Sequence, residues 1–329
     1  MTALAPILQA YFTQRLAQRQ ASPHTVASYR DTFSLLLRFA QQQLGTPPSR
    51  LDLTDVDAAL VGAFLDHLET ERGNSAATRN NRLAAVHSLF SYAALRCPEH
   101  AATIARVLAI PPKRTDTTIV CFLTQDEVEA LLASPDRATR PGRRDHLLLL
   151  VAVQTGLRVS ELTGLTRGDV TLGPGANLRC RGKGRKERCT PLTRPTARVV
   201  RDWLTERRGE PTDPLFPNRA GGPLSPDAVA DLLAKHVTTA ADRCPSLRTK
   251  RVSPHTLRHT AAMTLLRAGV DTSTIALWLG HAGTKATQVY LHADLALKEA
   301  ALARTAPPTV GRARYHPPDQ LLAFLESLQ

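Results

Sequence analysis

Arg158, Lys183, His255, Arg258, His281 and Tyr290 occur in that order along the chain and together suit phosphate chemistry. Two guanidinium groups, an ammonium and two imidazoles can surround a phosphate. A phenol nine residues after His281 is the one obvious nucleophile. Arginine presents a planar fork that matches two oxygens of one phosphate. Glu161, three residues beyond Arg158, shares a helical face with it and can hold that fork still. His255 and Arg258 repeat the spacing within HTLRH. A phenol ionises near pH ~10, so attack at neutral pH requires cations that lower this value and a histidine that takes the proton.

Each residue also has a plainer reading. Arg158 with Glu161 alone makes a surface ion pair, but Gly156 just before the helix supplies a turn that lets the arginine point into a cleft. The run Arg179, Arg181, Lys183, Arg185, Lys186, Arg188 is of a kind usually found on a solvated hairpin. The chain uses 35 arginines and only seven lysines, so a lysine retained in this turn suggests a job arginine cannot do. The lysine pKa falls with burial and neighbouring charge, and a lysine can hand a proton to a leaving alkoxide. Lys186 competes with Lys183 for that role. His255 and His259 are four apart, the spacing of a zinc pair, but the glutamate of HExxH is absent and Arg258 between them repels a cation. His259 therefore reads as a buried, hydrogen-bonded core histidine, and neither metal nor cofactor is expected. His281 in LWLGH doubles as a helix-end residue, and Tyr290 is one of five tyrosines.

The chain of 329 residues is long enough for two domains, and 43% hydrophobic residues supply their cores. A net charge of +13 points to a polyanion, and nucleic acid comes before membrane because no basic amphipathic helix with an aromatic face stands out. Residues 1–110 carry ten arginines against eight acids, net +2; the rest carries 32 bases against 21 acids, net +11. No membrane-length apolar run and no secretory leader is apparent, so a cytoplasmic, nucleoid-associated protein is expected. Five cysteines without a CxxC pair indicate neither disulfide framework nor zinc site; Cys180 and Cys189 flank the hairpin, which can set them face to face, and are expected to stay reduced.

These side chains need a scaffold, and the pattern is mainly helical with a small β hairpin. Residues 1–108 read as helices: ILQAYFTQRLAQRQ, a helix capped by Ser22 with Pro23 in its first turn, one capped by Thr54 with Asp55 and Asp57 in its first turn, and one opened by Asn74 or Ser75. Leu83, Val86, Leu89 and Phe90 form the apolar stripe of that last helix, with Arg79, Asn80 and Arg82 as candidates for DNA contact. Residues 109–120 read as a linker, and Thr124 with Glu127 makes a capping box. Helices are expected near 143–155, 158–165, 195–207, 226–241, 254–268 and 271–279. NLRCR and the segment after GKGRK form two strands. Short helices are expected at 283–290 and 294–304 and in the terminal DQLLAFLESLQ.

TGLRVSEL, GKGRKERCTPL, SPHTLRHT and LGHAGTKATQVYLH, in this order, resemble the boxes of the tyrosine recombinase (phage integrase, Xer-like) family. The likeness is strong over about 120–305, and PHTVASYRDTF resembles the start of the family's core-binding domain. It implies a helical core-binding domain over 1–108 and a catalytic domain over 121–306; residues 307–329 depart from the family pattern as an extension, whose helix is expected to pack on a neighbour, on another recombinase or on its own domain. It further implies that Tyr290 attacks DNA to form a 3′-phosphotyrosine, Arg158 and Arg258 hold the non-bridging oxygens, and Lys183 protonates the 5′-oxygen. His255 takes the phenolic proton, His281 donates to the phosphate, and Glu161 supports Arg158 and His255. Arg181, Arg185, Lys186 and Arg188 join the DNA-contact candidates. The expected partner is double-stranded DNA carrying recombination sites, bound by a homo-tetramer or a hetero-tetramer with related recombinases, for integration or transposition of a mobile element. A type IB topoisomerase-like enzyme or a non-cleaving accessory protein is the alternative.

Overall fold

The computed structural model describes residues 2–115, 120–182, 187–280, Thr287 and Tyr290. The chain divides into two compact units, Met1–Thr117 and Thr118–Gln329.

The first unit is helical. α1 (Leu4–Ala10) runs on into a π-helical stretch, Tyr11–Leu16. α2 (Pro23–Leu44) starts at Ser22, whose side chain accepts from Thr25 N, and ends at Gly45 in the left-handed conformation. α3 (Ala58–Thr70) is capped by Asp57, not by Thr54. The Asp57 carboxylate takes the Leu60 N–H at 2.8 Å, while Asp55 is occupied in the preceding turn by Asp52 N. α4 (Ala76–Ala93) opens at Ser75, and α5 (Ala101–Leu108), not separated out by the sequence pattern, follows it. Leu83, Val86, Leu89 and Phe90 are buried as their spacing predicts, in a core with Phe33, Leu36, Phe64 and Leu68. Asn80 clamps the Lys113 main chain by donating to its O at 2.8 Å and accepting from its N at 3.0 Å.

In the second unit, α6 (Gln125–Ala133) begins with the expected Thr124–Glu127 capping box. α7 (Arg140–Thr155) and the short α8 (Val159–Thr163) follow. β1 (Val170–Thr171), β2 (Asn177–Arg181) and β3 (Glu187–Pro191) form an antiparallel sheet in the order β1-β2-β3. The register sets Cys180 opposite Arg188 and Cys189 opposite Arg179. The two cysteines therefore do not face each other: Cys180 is buried, Cys189 exposed, and both are free thiols. The sheet is followed by α9 (Arg194–Glu206), α10 (Pro226–Ala241), α11 (Pro254–Arg267) and α12 (Thr272–Leu279).

α7 is nearly all apolar on the side that meets α11, and Leu147, Leu148, Leu149 and Val151 are fully buried. Ser and Thr caps at Thr193, Ser225 and Ser253 fix the starts of α9, α10 and α11, each contributing about 1 kcal/mol. Buried Glu127 ties α6 to the segment before α11 through Lys250 Nζ at 2.6 Å and the Ser246 hydroxyl at 2.6 Å. This brings the C-terminal ends of α7 and α12 beside the first turns of α8 and α11. The helices expected at 283–290, 294–304 and the terminus lie outside the described residues, apart from Thr287 and Tyr290.

Candidate active site

Gly156 ends α7 with φ +63°, a conformation glycine adopts without a Cβ clash. A Cβ there would sit 2.7 Å from Leu279 Cδ2 and 3.0 Å from the Ala261 Cβ. The glycine thus lets three segments close on one point, and its carbonyl turns toward Arg258. Arg258 Nη1 donates to Gly156 O and Nη2 to Leu279 O, each at 2.7 Å. The guanidinium is buried, and burial, with Arg158 nearby, lowers its pKa to about 10. It still carries its charge at neutral pH.

Arg158 is the N-cap residue of α8, just ahead of the helix that its sequence spacing placed it on. Its Nη1 donates to Glu161 Oε1 at 3.0 Å and its Nη2 to Gly280 O at 3.2 Å. Glu161 also reaches back to accept the Arg158 main-chain N–H at 2.8 Å. One arginine is thus fixed by its own backbone, a carboxylate and the end of α12.

Arg188 completes the group. It donates Nη1 to Glu161 Oε1 at 3.0 Å, Nη2 to Oε2 at 2.8 Å, and Nε to Trp278 O at 3.1 Å. Burial raises the Glu161 pKa, but the hydrogen bond and charge of Arg188, with the Arg158 N–H and charge, outweigh it and hold the carboxyl below its usual value. This corrects two expectations. Arg188, expected among the DNA-contact candidates, is engaged with Glu161 in this structure, and the partners of Glu161 are Arg158 and Arg188 rather than His255. Gly280, at φ +65°, makes room for Arg188: a Cβ there would lie 2.7 Å from Arg188 Nη1.

Tyr290 is 2% exposed and packs with Met263, Ile275 and Leu279. Burial raises its pKa, while Arg258 and Arg158 pull it back down without cancelling the rise. Its hydroxyl lies 3.0 Å from His259 Nδ1. The core histidine of the sequence reading is hydrogen-bonded, but its partner is the candidate nucleophile. Burial, then the His255 and Arg258 charges, lower the His259 pKa to about 4. His255 is exposed in the first turn of α11, its ring centroid 5.6 Å from that of His259.

The structure therefore brings together Arg158, Glu161, Arg258 and Tyr290 and adds Arg188 and His259. Lys183, His281, Arg185 and Lys186 lie outside the described residues. Arg181 is exposed and pairs with Glu187 at 3.0 Å. Of the contact candidates in the first unit, Arg79 is buried, with Nε 3.5 Å from Glu69. Arg79 is thus directed at Glu69 of its own unit. The Asn80 amide is spent on Lys113, and Arg82 is half-buried. Among the described residues no group of three or more His, Cys, Asp or Glu could hold a metal ion, and no helix is long and apolar enough to cross a membrane.

The period-2 alternation of a strand carried a signal for Arg188. Leu178 and Cys180 form the inward face of β2, and the hairpin register places Arg188 against Cys180 on that face. The signal for His259 was its place one turn beyond His255, on the same side of α11.

The chain thus has a helical unit followed by a mainly helical unit with a small sheet, and in the second an arginine pair lies near a buried tyrosine. Residues 121–296 match the phage integrase family, and residues 8–97 match the N-terminal SAM-like domain of phage integrases. The chain belongs to this family, the tyrosine recombinases. It is 57% identical to the integrase/recombinase y4rC of Sinorhizobium fredii over 99% of this chain and 98% of that one. It is 34% identical to the tyrosine recombinase XerC of Pelobacter propionicus over 90% of this chain and 93% of that one. Among solved structures, the XerH site-specific recombinase bound to difH substrate in a pre-cleavage complex superposes with a TM-score of 0.64 at 26% identity. The superposition covers 87% of this chain and 81% of that one.

Proposed function

We propose that this enzyme is a site-specific recombinase that cuts and rejoins double-stranded DNA through a phosphotyrosine at Tyr290. The observation that carries the reading is the placement of a buried phenol within the field of Arg158 and Arg258, whose guanidinium groups are held by Gly156, Leu279 and Gly280 carbonyls. In this reading the phenolic oxygen attacks phosphorus, the P–O5′ bond breaks, and a 3′-phosphotyrosine forms. The phenolic proton goes to His255, and Lys183 protonates the departing 5′-oxygen. Arg158, Arg258 and His281 stabilise the charge that develops on the non-bridging oxygens. The phosphodiester energy stays in the covalent link, so rejoining by a 5′-hydroxyl of the other duplex reverses the step without ATP.

Four protomers on two sites, exchanging strands through a Holliday junction, would carry the reaction to completion. The 57% likeness to an integrase/recombinase favours insertion or movement of a mobile element over chromosome resolution. A relative such as y4rD of Sinorhizobium fredii, 40% identical over 78% of this chain and 92% of that one, is the kind of recombinase that would share a hetero-tetramer in this reading.

The test is incubation, without metal, with a nicked duplex carrying the ends of the element that encodes the chain, followed by a denaturing gel. A covalent protein–DNA band that disappears in Tyr290→Phe is expected. Tight binding with no band in the wild-type protein would overturn the reading in favour of a non-cleaving DNA-binding protein.

A further inference from the structure

We infer that His259 is a positioning residue for the nucleophile: its Nδ1 accepts the hydrogen bond of the Tyr290 phenol and aims the phenolic oxygen at the arginine pair. The inference rests on the recombinase reading and assigns a role to a residue to which that reading gives none.

The direction of the hydrogen bond follows from what surrounds the phenol. The charged groups acting on it are Arg258 and Arg158, and guanidinium groups only donate. They cannot accept the phenolic hydrogen. A buried O–H without an acceptor carries a desolvation penalty, and the acceptor present is His259 Nδ1 at 3.0 Å. The imidazole is kept neutral by its burial and by His255 and Arg258, so one ring nitrogen is free to accept. With the hydrogen committed to His259, the lone pairs of the oxygen are left free within the field of Arg258 and Arg158, where a phosphate would sit.

His259 is itself well held. It lies on α11 next to Arg258, whose side chain is anchored on two main-chain carbonyls. Its ring meets Tyr290 edge-on, with centroids 5.6 Å apart and planes at 63°. Rotation of the phenol is therefore restrained by the same helix that supplies the buried arginine. The base in the proposed reading is His255, whose ring centroid lies 5.6 Å from that of His259, so the phenolic hydrogen has to leave His259 before it is transferred. A histidine with so low a pKa is a poor resting place for a proton but a good acceptor of a hydrogen bond.

Two substitutions separate positioning from packing. His259→Phe keeps a ring and removes the acceptor; His259→Asn sets an amide oxygen close to the place of Nδ1. The rate of covalent adduct formation on a nicked duplex is measured at saturating DNA, with binding measured alongside. His259→Phe is expected to slow the adduct about 10- to 100-fold, the cost of a lost hydrogen bond and a misaimed nucleophile, with DNA affinity unchanged. His259→Asn is expected to recover most of that loss. An unchanged or faster rate in His259→Phe would overturn the inference, the faster rate meaning that the bond restrains the tyrosine. Equal loss in both variants would overturn it in favour of packing.

Failure of the recombinase reading looks different, because the wild-type protein then forms no adduct. The hydrogen bond can also be read without DNA. The ¹⁵N resonance of His259 Nδ1 is expected to shift in Tyr290→Phe, and an unmoved resonance would show that the bond does not exist in solution.

Discussion

Arg188 takes both carboxylate oxygens of Glu161, at 3.0 and 2.8 Å, while Arg158 shares one of them from the other side. A strand residue and a helix-start residue are thus cross-linked through one buried acid, whose side chain is 3% exposed. The acid holds Arg158 without neutralising the group, since three guanidinium groups, with Arg258, surround one carboxylate.

Replacing that acid leaves two part-buried cations without their partner. Glu161→Ala is expected to destabilise the second unit by about 3 kcal/mol, the usual order for breaking a buried pair from one side. It should also abolish adduct formation because Arg158 loses its anchor. Denaturant unfolding and the covalent-band assay check the two effects. A variant of wild-type stability would show that solvent replaces the carboxylate at no cost.

Gly280→Ala tests a narrower point. The residue has φ +65°, and its Cβ would fall 2.7 Å from Arg188 Nη1 and 3.0 Å from Cζ. A left-handed alanine alone costs about 1 kcal/mol. Here the guanidinium must also leave Glu161 or α12 must shift. The expected result is a drop of about 2 kcal/mol in unfolding free energy with a reduced cleavage rate. Gly45→Ala, at φ +67° with nothing within 4 Å of its Cβ, serves as control and should show the backbone cost alone.

Arg258→Lys keeps the charge but has one ammonium where the fork spans Gly156 O and Leu279 O. Adduct formation is expected to fall about 100- to 1,000-fold, the range for losing one oriented donor at a developing oxyanion. DNA affinity should change little, since a buried arginine is a small part of the total phosphate contact. Filter binding and the covalent-band assay on the same samples separate the two quantities.

Acid should destabilise the second unit in a defined window. Burial raises the pKa of Glu161, Glu127 and Asp145, yet Arg188, then Lys250 with Ser246, and His236 with Arg144 respectively bring each below its ordinary value. In the unfolded chain these groups titrate near ~4.3 for Glu and ~3.9 for Asp. Their contribution is therefore complete above those values and is lost as pH falls from there toward the lower folded values. Melting temperature should hold near neutrality and drop steeply below about pH 4.5. Glu127→Gln should flatten the drop. A melting temperature that declines evenly from pH 7 would contradict the assignment.

The caps of α2 and α6 were legible in the sequence because a Ser or Thr with proline or an acid just inside the helix is a local signal, and local geometry obeyed it. The start of α3 was misread because Thr54, Asp55 and Asp57 all qualify as caps, and the choice fell to the turn that Asp55 stabilises with Asp52. Arg158, Glu161, Arg258 and Tyr290 were found through the order of their motifs. Arg188 and His259 were placed among the bases and the core because their roles depend on contacts between residues 27 and 31 positions apart. No window of sequence contains such a contact. The cysteine pair failed for a related reason: one residue of register decides which face of a strand a side chain takes.

Arg258 rests on the carbonyls that close α7 and α12, and no carboxylate among the described residues forms a salt bridge with it. A cation paired to an acid has to trade one anion for another when substrate arrives. A cation seated on peptide dipoles has no anion to surrender, so in the proposed reading phosphate would join the site by addition and not by exchange. The dipoles at two helix ends offset the burial of the charge while leaving its sign exposed to the incoming backbone. The approach of DNA and the chemistry on it can then draw on one undiminished field.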